Sequence, residues 1–186
     1  ANRITIYDGD DPALPMWMVF DRPGTSLGIL ADGTGQTHTA ITAIKAMNGK
    51  LFSAKGMAPA NNAWGGITSW DLISEIATKV TTRTAGYVGT AHIPFSERNS
   101  ITVTGLTFSA PNPQLVNDIA NDLAVTVLPN APIDPASKLP IPTIAVATAG
   151  GISVIKDDGS VVDIVHADSA DTLAVNFDDD LLVYNA

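Results

Sequence analysis

The chain has 186 residues, 45% hydrophobic and 16% charged, a balance that suits packed sheets and excludes a disordered polymer. Its 19 acidic and 10 basic residues give a formal net charge of -9, which repels nucleic-acid phosphates and leaves no dense Lys/Arg stripe to bind them. The lack of cysteine removes disulfide frameworks, thiolate zinc sites and cysteine nucleophiles, and no run approaches the roughly 20 apolar residues of a membrane-spanning helix.

In chain order, the first apolar run is Leu14-Pro15-Met16-Trp17-Met18-Val19-Phe20. A run of this length reads as a buried strand, with a sugar-stacking or partner-binding surface as the sharper alternative. Ile41, Ala43, Ile44 and Met47 then lead through Asn48-Gly49 to Leu51 and Phe52, the pattern of a tight hairpin, because Asn and Gly tolerate positive φ. Gly65-Gly66-Ile67 follows, and then Trp70 to Val80. Trp70, Ile73, Ile76 and Val80 have helical spacing, but alignment with the later Val154 to Val165 hairpin favours strands.

Ser100-Ile101-Thr102-Val103-Thr104 alternates cleanly as a strand. Asn112-Pro113 opens a stretch in which Leu115, Val116, Ile119 and Leu123 are spaced for one short helix. Leu123, Val125, Val127 and Leu128 are separated from Ile144, Val146 and Thr148 by a segment holding Pro129, Pro132, Pro135, Pro140 and Pro142. Those prolines lack the N–H that a ladder needs, so the segment belongs on the surface.

A second Gly-Gly-Ile step, Gly150-Gly151-Ile152, stands 85 positions after the first and leads through Val154 and the Asp158-Gly159 turn into Val161 to Val165. A third copy opens at Leu173, Val175 and Phe177, turns at Asp178-Asp179-Asp180 and resumes at Leu181 to Tyr184. Each complete copy therefore holds four strands. The sequence predicts an all-β fold of propeller-like, four-stranded antiparallel blades in an incomplete ring. The 50-residue step from Leu123 to Leu173 fits one blade, whereas the 82-residue step from Ile41 to Leu123 requires an insertion or a degenerate blade within Thr81 to Asn121. We expect residues 1–186 to be one repeat region of a longer protein, since the chain starts without methionine and stops after an apolar run.

No motif identifies a catalytic residue. Gly24-Thr25-Ser26-Leu27-Gly28 has the letters of a nucleophile elbow, but Asp21-Arg22-Pro23 breaks any strand before it and Ala31-Asp32-Gly33-Thr34-Gly35 leaves no helix after it, so it reads as a turn. Gly33-Thr34-Gly35 lacks the lysine of a phosphate-binding loop. His38, His92 and His166 have no metal-ligand spacing. Asp8, Asp10 and Asp11, like Asp178 to Asp180, lack the order and the downstream glutamate of a calcium loop and read as solvated turns. Glu75 and Glu97 are the only glutamates, so a glycosidase would need aspartates that sit in no recognisable motif. No cofactor or metal is expected.

Several blocks do resemble a family. Leu14 to Phe20, Ser96-Glu97-Arg98-Asn99, Val127-Leu128-Pro129-Asn130-Ala131-Pro132-Ile133-Asp134, and Pro142 to Thr148 running into Gly150 to Gly159 are similar to segments of virion structural proteins of tailed phages, especially marine and cyanobacterial ones. The resemblance implies a propeller-like tail or tail-fibre module located in the virion and present in several copies. Its partners would be other virion proteins, further copies of itself and a host-surface glycan, and it would not be an enzyme. The alternative is a polysaccharide-degrading enzyme on a propeller scaffold, with active residues gathered from several blades.

Overall fold

Strands form where β-branched and apolar residues cluster, and three of the chain reversals fall where Asn48-Gly49, Gly159 and Asp179 accept positive φ. The computed structural model describes residues 3–21, 39–57, 65–81, 88–100, 107–109, 114–165 and 171–185. Its first hairpin pairs β1 (Ile4–Tyr7) with β2 (Met16–Phe20). A six-stranded sheet follows in strict chain order: β3 (Thr39–Met47), β4 (Lys50–Met57), β5 (Gly66–Asp71), β6 (Ile76–Val80), β7 (Val88–His92) and β8 (Thr107–Ser109). The next sheet holds β9 (Ala120–Thr126), β10 (Thr143–Thr148), β11 (Gly151–Ile155) and β12 (Val161–Ile164), and a last hairpin joins β13 (Ala174–Asp178) to β14 (Leu181–Asn185). Every pairing among the described residues is antiparallel, and no sheet closes on itself.

The four sheets stack face to face around three apolar layers. Ile4 and Phe20 pack with Leu51, Trp70, Ala77 and Ile93 on one face of the six-stranded sheet. The opposite face carries Phe52, Ala54, Ile67 and Val80, which meet Leu123, Val146 and Ile155 of the next sheet. The far side of that sheet, with Ala124, Ala145, Ala147 and Ile152, is covered by Val175 of the last hairpin. Strand alternation sends Leu51 and Phe52, or Ala145 and Val146, into different layers, so both inner sheets are buried on two faces. This explains the near-continuous apolar runs in β10 and β11.

The two Gly-Gly-Ile steps occupy equivalent places. Each opens the third strand of an antiparallel meander, and Ile67 pairs with Val80 as Ile152 pairs with Ile164. The Asn48-Gly49 turn has φ of 50° and 73°, as a tight hairpin needs. At Asp158-Gly159 only Gly159 is positive, at 82°, while the Asp158 carboxylate accepts hydrogen bonds from the Ser160 N–H and hydroxyl.

Some expectations are corrected. Leu115, Val116 and Ile119 form no helix, and Leu123 lies within β9. Side chains compete for the local backbone here: Asn117 Oδ1 accepts the Ile119 N–H, Ser153 Oγ accepts the Val116 N–H, and the Asp118 carbonyl accepts the Gly66 N–H. One 3₁₀ turn, Phe95–Glu97, is the helical element among the described residues. Trp70 to Val80 is two strands around a turn in which Glu75 has φ of 57°, so the helical spacing there is coincidental. The long early repeat is explained by β7 and β8, which extend the first sheet to six strands, so it is not the four-stranded unit expected from the sequence. Residues 101–104 of the alternating segment lie outside the described residues.

The Leu14 to Phe20 run does form a strand, but only Phe20 is buried; Leu14, Met16 and Trp17 are exposed. A two-stranded hairpin packs one face on its neighbour, through Ile4, Ile6, Met18 and Phe20, and Trp17 stays at the surface. Conversely, Lys55 and Lys79 are buried in the first sheet, with the Lys79 ammonium donating to the Gly65 carbonyl at 2.7 Å. A buried cation is retained where such partners replace water.

Candidate functional site

The side chains with the most developed polar geometry meet where the proline-rich segment between β9 and β10 reaches the first sheet. Instead of trailing over the surface, this segment folds on itself. Ile133 bridges Pro140, the Asp134 N–H donates to the Leu139 carbonyl, and the Ile141 N–H donates to the Pro132 carbonyl. The resulting arm touches the β3–β4 turn, where Asn48 Nδ2 donates to the Pro140 carbonyl at 2.8 Å.

Lys50, the first residue of β4, stands beneath the arm. Its ammonium is 2.7 Å from Asp71 Oδ2 and 3.0 Å from Asp134 Oδ2, so one cation joins the end of β5 to the arm. Each carboxylate is fixed by the backbone through its other oxygen. Asp71 Oδ1 accepts the N–H groups of Ile73 and Ser74, and Asp134 Oδ1 accepts those of Ala136 and Ser137. These are the short-range turn bonds that aspartate favours, and they hold both carboxylates aimed at the same nitrogen.

The electrostatics follow from that geometry. Burial by itself favours neutral Lys50, but the hydrogen bonds and charges of Asp71 and Asp134 outweigh it and raise its pKa. Burial likewise pushes Asp71 upward, yet Lys50 and the two backbone donors bring its pKa below the ordinary value. Asp134 is lowered chiefly by the Ala136 N–H and then by Lys50. Both acids are thus held ionised and the lysine protonated. That state suits a clamp and opposes general-acid chemistry, which needs a carboxyl kept protonated near neutral pH.

Beside the clamp lies a cleft of about 110 Å³ lined by Ser69, Ser74, Thr78 and the three charged groups. Ser69 and Thr78 also border a second hollow of about 100 Å³ between the two inner sheets, walled by Ile67, Val80, Ile144 and Ile155. Both are well below the roughly 300–1,000 Å³ of typical small-molecule pockets.

The residues weighed in the sequence do not converge. Asp8 Oδ1 accepts the Asp10 N–H and Asp11 Oδ1 accepts the Ala13 N–H, so these carboxylates close their own turn. Asp178 to Asp180 form a hairpin tip with Asp179 at φ of 54°. His92 Nε2 lies 3.8 Å from Glu75 Oε2, and Glu75 Oε1 accepts the Phe95 N–H. Gly24 to Gly28, Gly33 to Gly35, His38 and His166 lie outside the described residues. Among the described residues no three His, Cys, Asp or Glu side chains are grouped to hold a metal ion, and no helix is long and apolar enough to cross a membrane.

Sequence reasoning missed the Lys50, Asp71 and Asp134 trio. The available signal was Asp134-Pro135-Ala136-Ser137, a turn-forming aspartate inside a proline-rich segment. Nothing in the chain order links it to Lys50, 84 positions earlier. Comparison of the chain with protein-family models, with curated proteins and with solved structures finds no match.

Proposed function

We propose that this chain is a structural module of a tailed-phage virion, part of a tail or tail fibre built from propeller-like blades, and that it has no catalytic role. Its partners are neighbouring virion proteins and further copies of itself, with a host-surface glycan as the outward contact. The observation that carries the reading is the packing of β9 between β3 and β13, the first strands of successive repeats. Blades arranged around a common axis bring their first strands together in this way. The equivalent Gly-Gly-Ile registers and the blocks resembling virion proteins support it further.

Labelling intact phage particles with an antibody raised against the chain, imaged by electron microscopy, tests the assignment. Label on the tail or its fibres is the expected result, and label elsewhere removes it. Release of reducing ends from host capsule or lipopolysaccharide by the purified chain would replace the structural reading with the enzymatic one.

A further inference from the structure

The cleft beside the Lys50 clamp has a floor set by strand register. Lys50 pairs with Asp71 across β4 and β5, and Ser69 pairs with Thr78 across β5 and β6. Ser69 and Asp71 are two residues apart on β5, so all four side chains rise from the same face of the sheet. The arm adds Asp134 and Ala136 to the lining, and the β5–β6 turn adds Ser74 and Ile76.

Several hydrogen-bonding groups there are unspent. Among the described residues no partner meets the hydroxyls of Ser69, Ser74 and Thr78. The Lys50 ammonium has three protons and directs two of them to Asp71 and Asp134. Asp134 Oδ1 is filled by the Ala136 and Ser137 N–H groups, whereas Oδ2 keeps a lone pair after accepting from Lys50. The side chains of Lys50 and Asp134 are 19% and 17% exposed, so a ligand reaches them, while Asp71, at 6%, holds the lysine in place.

The charge pattern selects the ligand. An anion meets two carboxylates, and a cation meets Lys50 where its counter-ions are already engaged, so a neutral molecule that both donates and accepts is favoured. Its polar groups must be adjacent, because Ser69 and Thr78 are direct cross-strand neighbours with Cβ atoms about 5 Å apart. Ile76, 41% exposed, gives the same cleft an apolar side for C–H groups. Neighbouring hydroxyls on a saturated ring combine these properties.

We propose that this cleft is a sugar site that binds two adjacent hydroxyls of one pyranose ring. Lys50 donates to one hydroxyl, Asp134 Oδ2 accepts from its neighbour, and Ser69 and Thr78 complete the bonds from the floor. At about 110 Å³ and open to solvent on one side, the cleft takes the edge of a ring and leaves the rest of a glycan outside. The site gives a place to the outward glycan contact proposed above and rests on that reading for the source of the sugar alone. Label on particles without sugar binding removes the site, and sugar binding without label removes only the virion assignment.

Amide chemical-shift mapping on the 186-residue chain tests it, with the methyl α-pyranosides of glucose, galactose and mannose as probes. At least one should move the amides of Ser69, Ser74, Thr78 and Ala136 with millimolar affinity, the strength of a single ring held by a few hydrogen bonds. Cyclohexanol, which has a six-membered ring but one hydroxyl, should leave those amides in place, as should propylammonium and acetate, which carry charge alone. Ser69→Ala and Thr78→Val each remove one hydroxyl and keep the clamp, so each should weaken binding about three- to tenfold with an unchanged circular dichroism spectrum. Amides unmoved by all three glycosides, equal shifts with cyclohexanol or with an ion, or variants that bind like the parent would each overturn the sugar site.

Discussion

Gly66 and Gly151 fill the same position in successive repeats: a Cβ on Gly66 would lie 2.3 Å from the Val80 carbonyl oxygen, and one on Gly151 would lie 2.1 Å from that of Ile164. Both have positive φ, at 90° and 123°, so an L side chain there meets backbone strain as well as a backbone clash. We predict that Gly66→Ala and Gly151→Ala each lower unfolding stability by roughly 2–4 kcal/mol. Gly9, with open space around it, should accept alanine within about 0.5 kcal/mol. Urea titration of the three variants checks this, and equal tolerance at all three positions would refute the shared constraint.

The Lys50 clamp gives the fold a defined pH response. Asp71 and Asp134 have lowered pKa values in the folded chain, so their stabilisation is fully present above the unfolded carboxylate value of about 4 and is lost as pH falls through the lower folded values. Lys50 is raised, so its contribution is complete below the unfolded lysine value of about 10.4 and is lost as pH rises through the folded value. Between those limits the clamp should contribute a flat plateau. Lys50→Met should cost about 1–3 kcal/mol at pH 7, because two oriented carboxylates lose their cation. Its acid limb below about pH 4 should be shallower than the parent's. An unchanged limb in urea unfolding across pH would show that the three groups do not act together.

Trp70 is fully buried, with Phe20 tilted against it at 5.3 Å between ring centroids and Phe95 stacked at 6.3 Å. Its indole N–H has no hydrogen-bond partner among the described residues. Trp70→Ala should therefore cost about 3–5 kcal/mol by leaving a cavity, whereas Trp70→Phe should cost about 1–2 kcal/mol, since volume shrinks but no hydrogen bond is lost. Thermal unfolding followed at a far-ultraviolet wavelength separates the two. Comparable losses would mean that the N–H has a partner in solution.

Asn48 combines a positive-φ turn position with the amide bond to the arm. Asn48→Gly keeps the turn geometry and removes only the tether, so it should cost about 1 kcal/mol, while Asn48→Val, which resists positive φ, should cost about 2–3 kcal/mol. Limited proteolysis should cut the 129–142 arm faster in Asn48→Gly than in the parent. Equal cleavage would mean that Lys50 alone retains the arm.

Much of the strand inventory is legible in the chain because it rests on local physics. The apolar runs on either side of the Asn48-Gly49 turn and the repeated Gly-Gly-Ile steps each act over a few positions, and the structure places strands and turns there. The expected helix near Leu115 misleads because its spacing is satisfied equally by residues that pack between sheets, while Asn117 and Asp118 draw the local backbone into other bonds. The proline-rich arm reads correctly as unable to join a ladder, yet its docking is invisible, since proline chemistry says what a segment cannot pair with and not where it rests.

The sequence by itself determined an acidic, cysteine-free, all-β chain with a repeating strand unit and its turn positions, because composition, alternation and glycine conformation are properties of neighbouring residues. Only the tertiary structure decided that four sheets stack about three apolar layers, that β7 and β8 widen the first sheet, that Lys55 and Lys79 are buried, and that Lys50 joins Asp71 to Asp134. Those outcomes depend on which faces meet across dozens of residues. The register of one sheet upon another is set by side-chain packing and hydrogen bonding that no local pattern encodes.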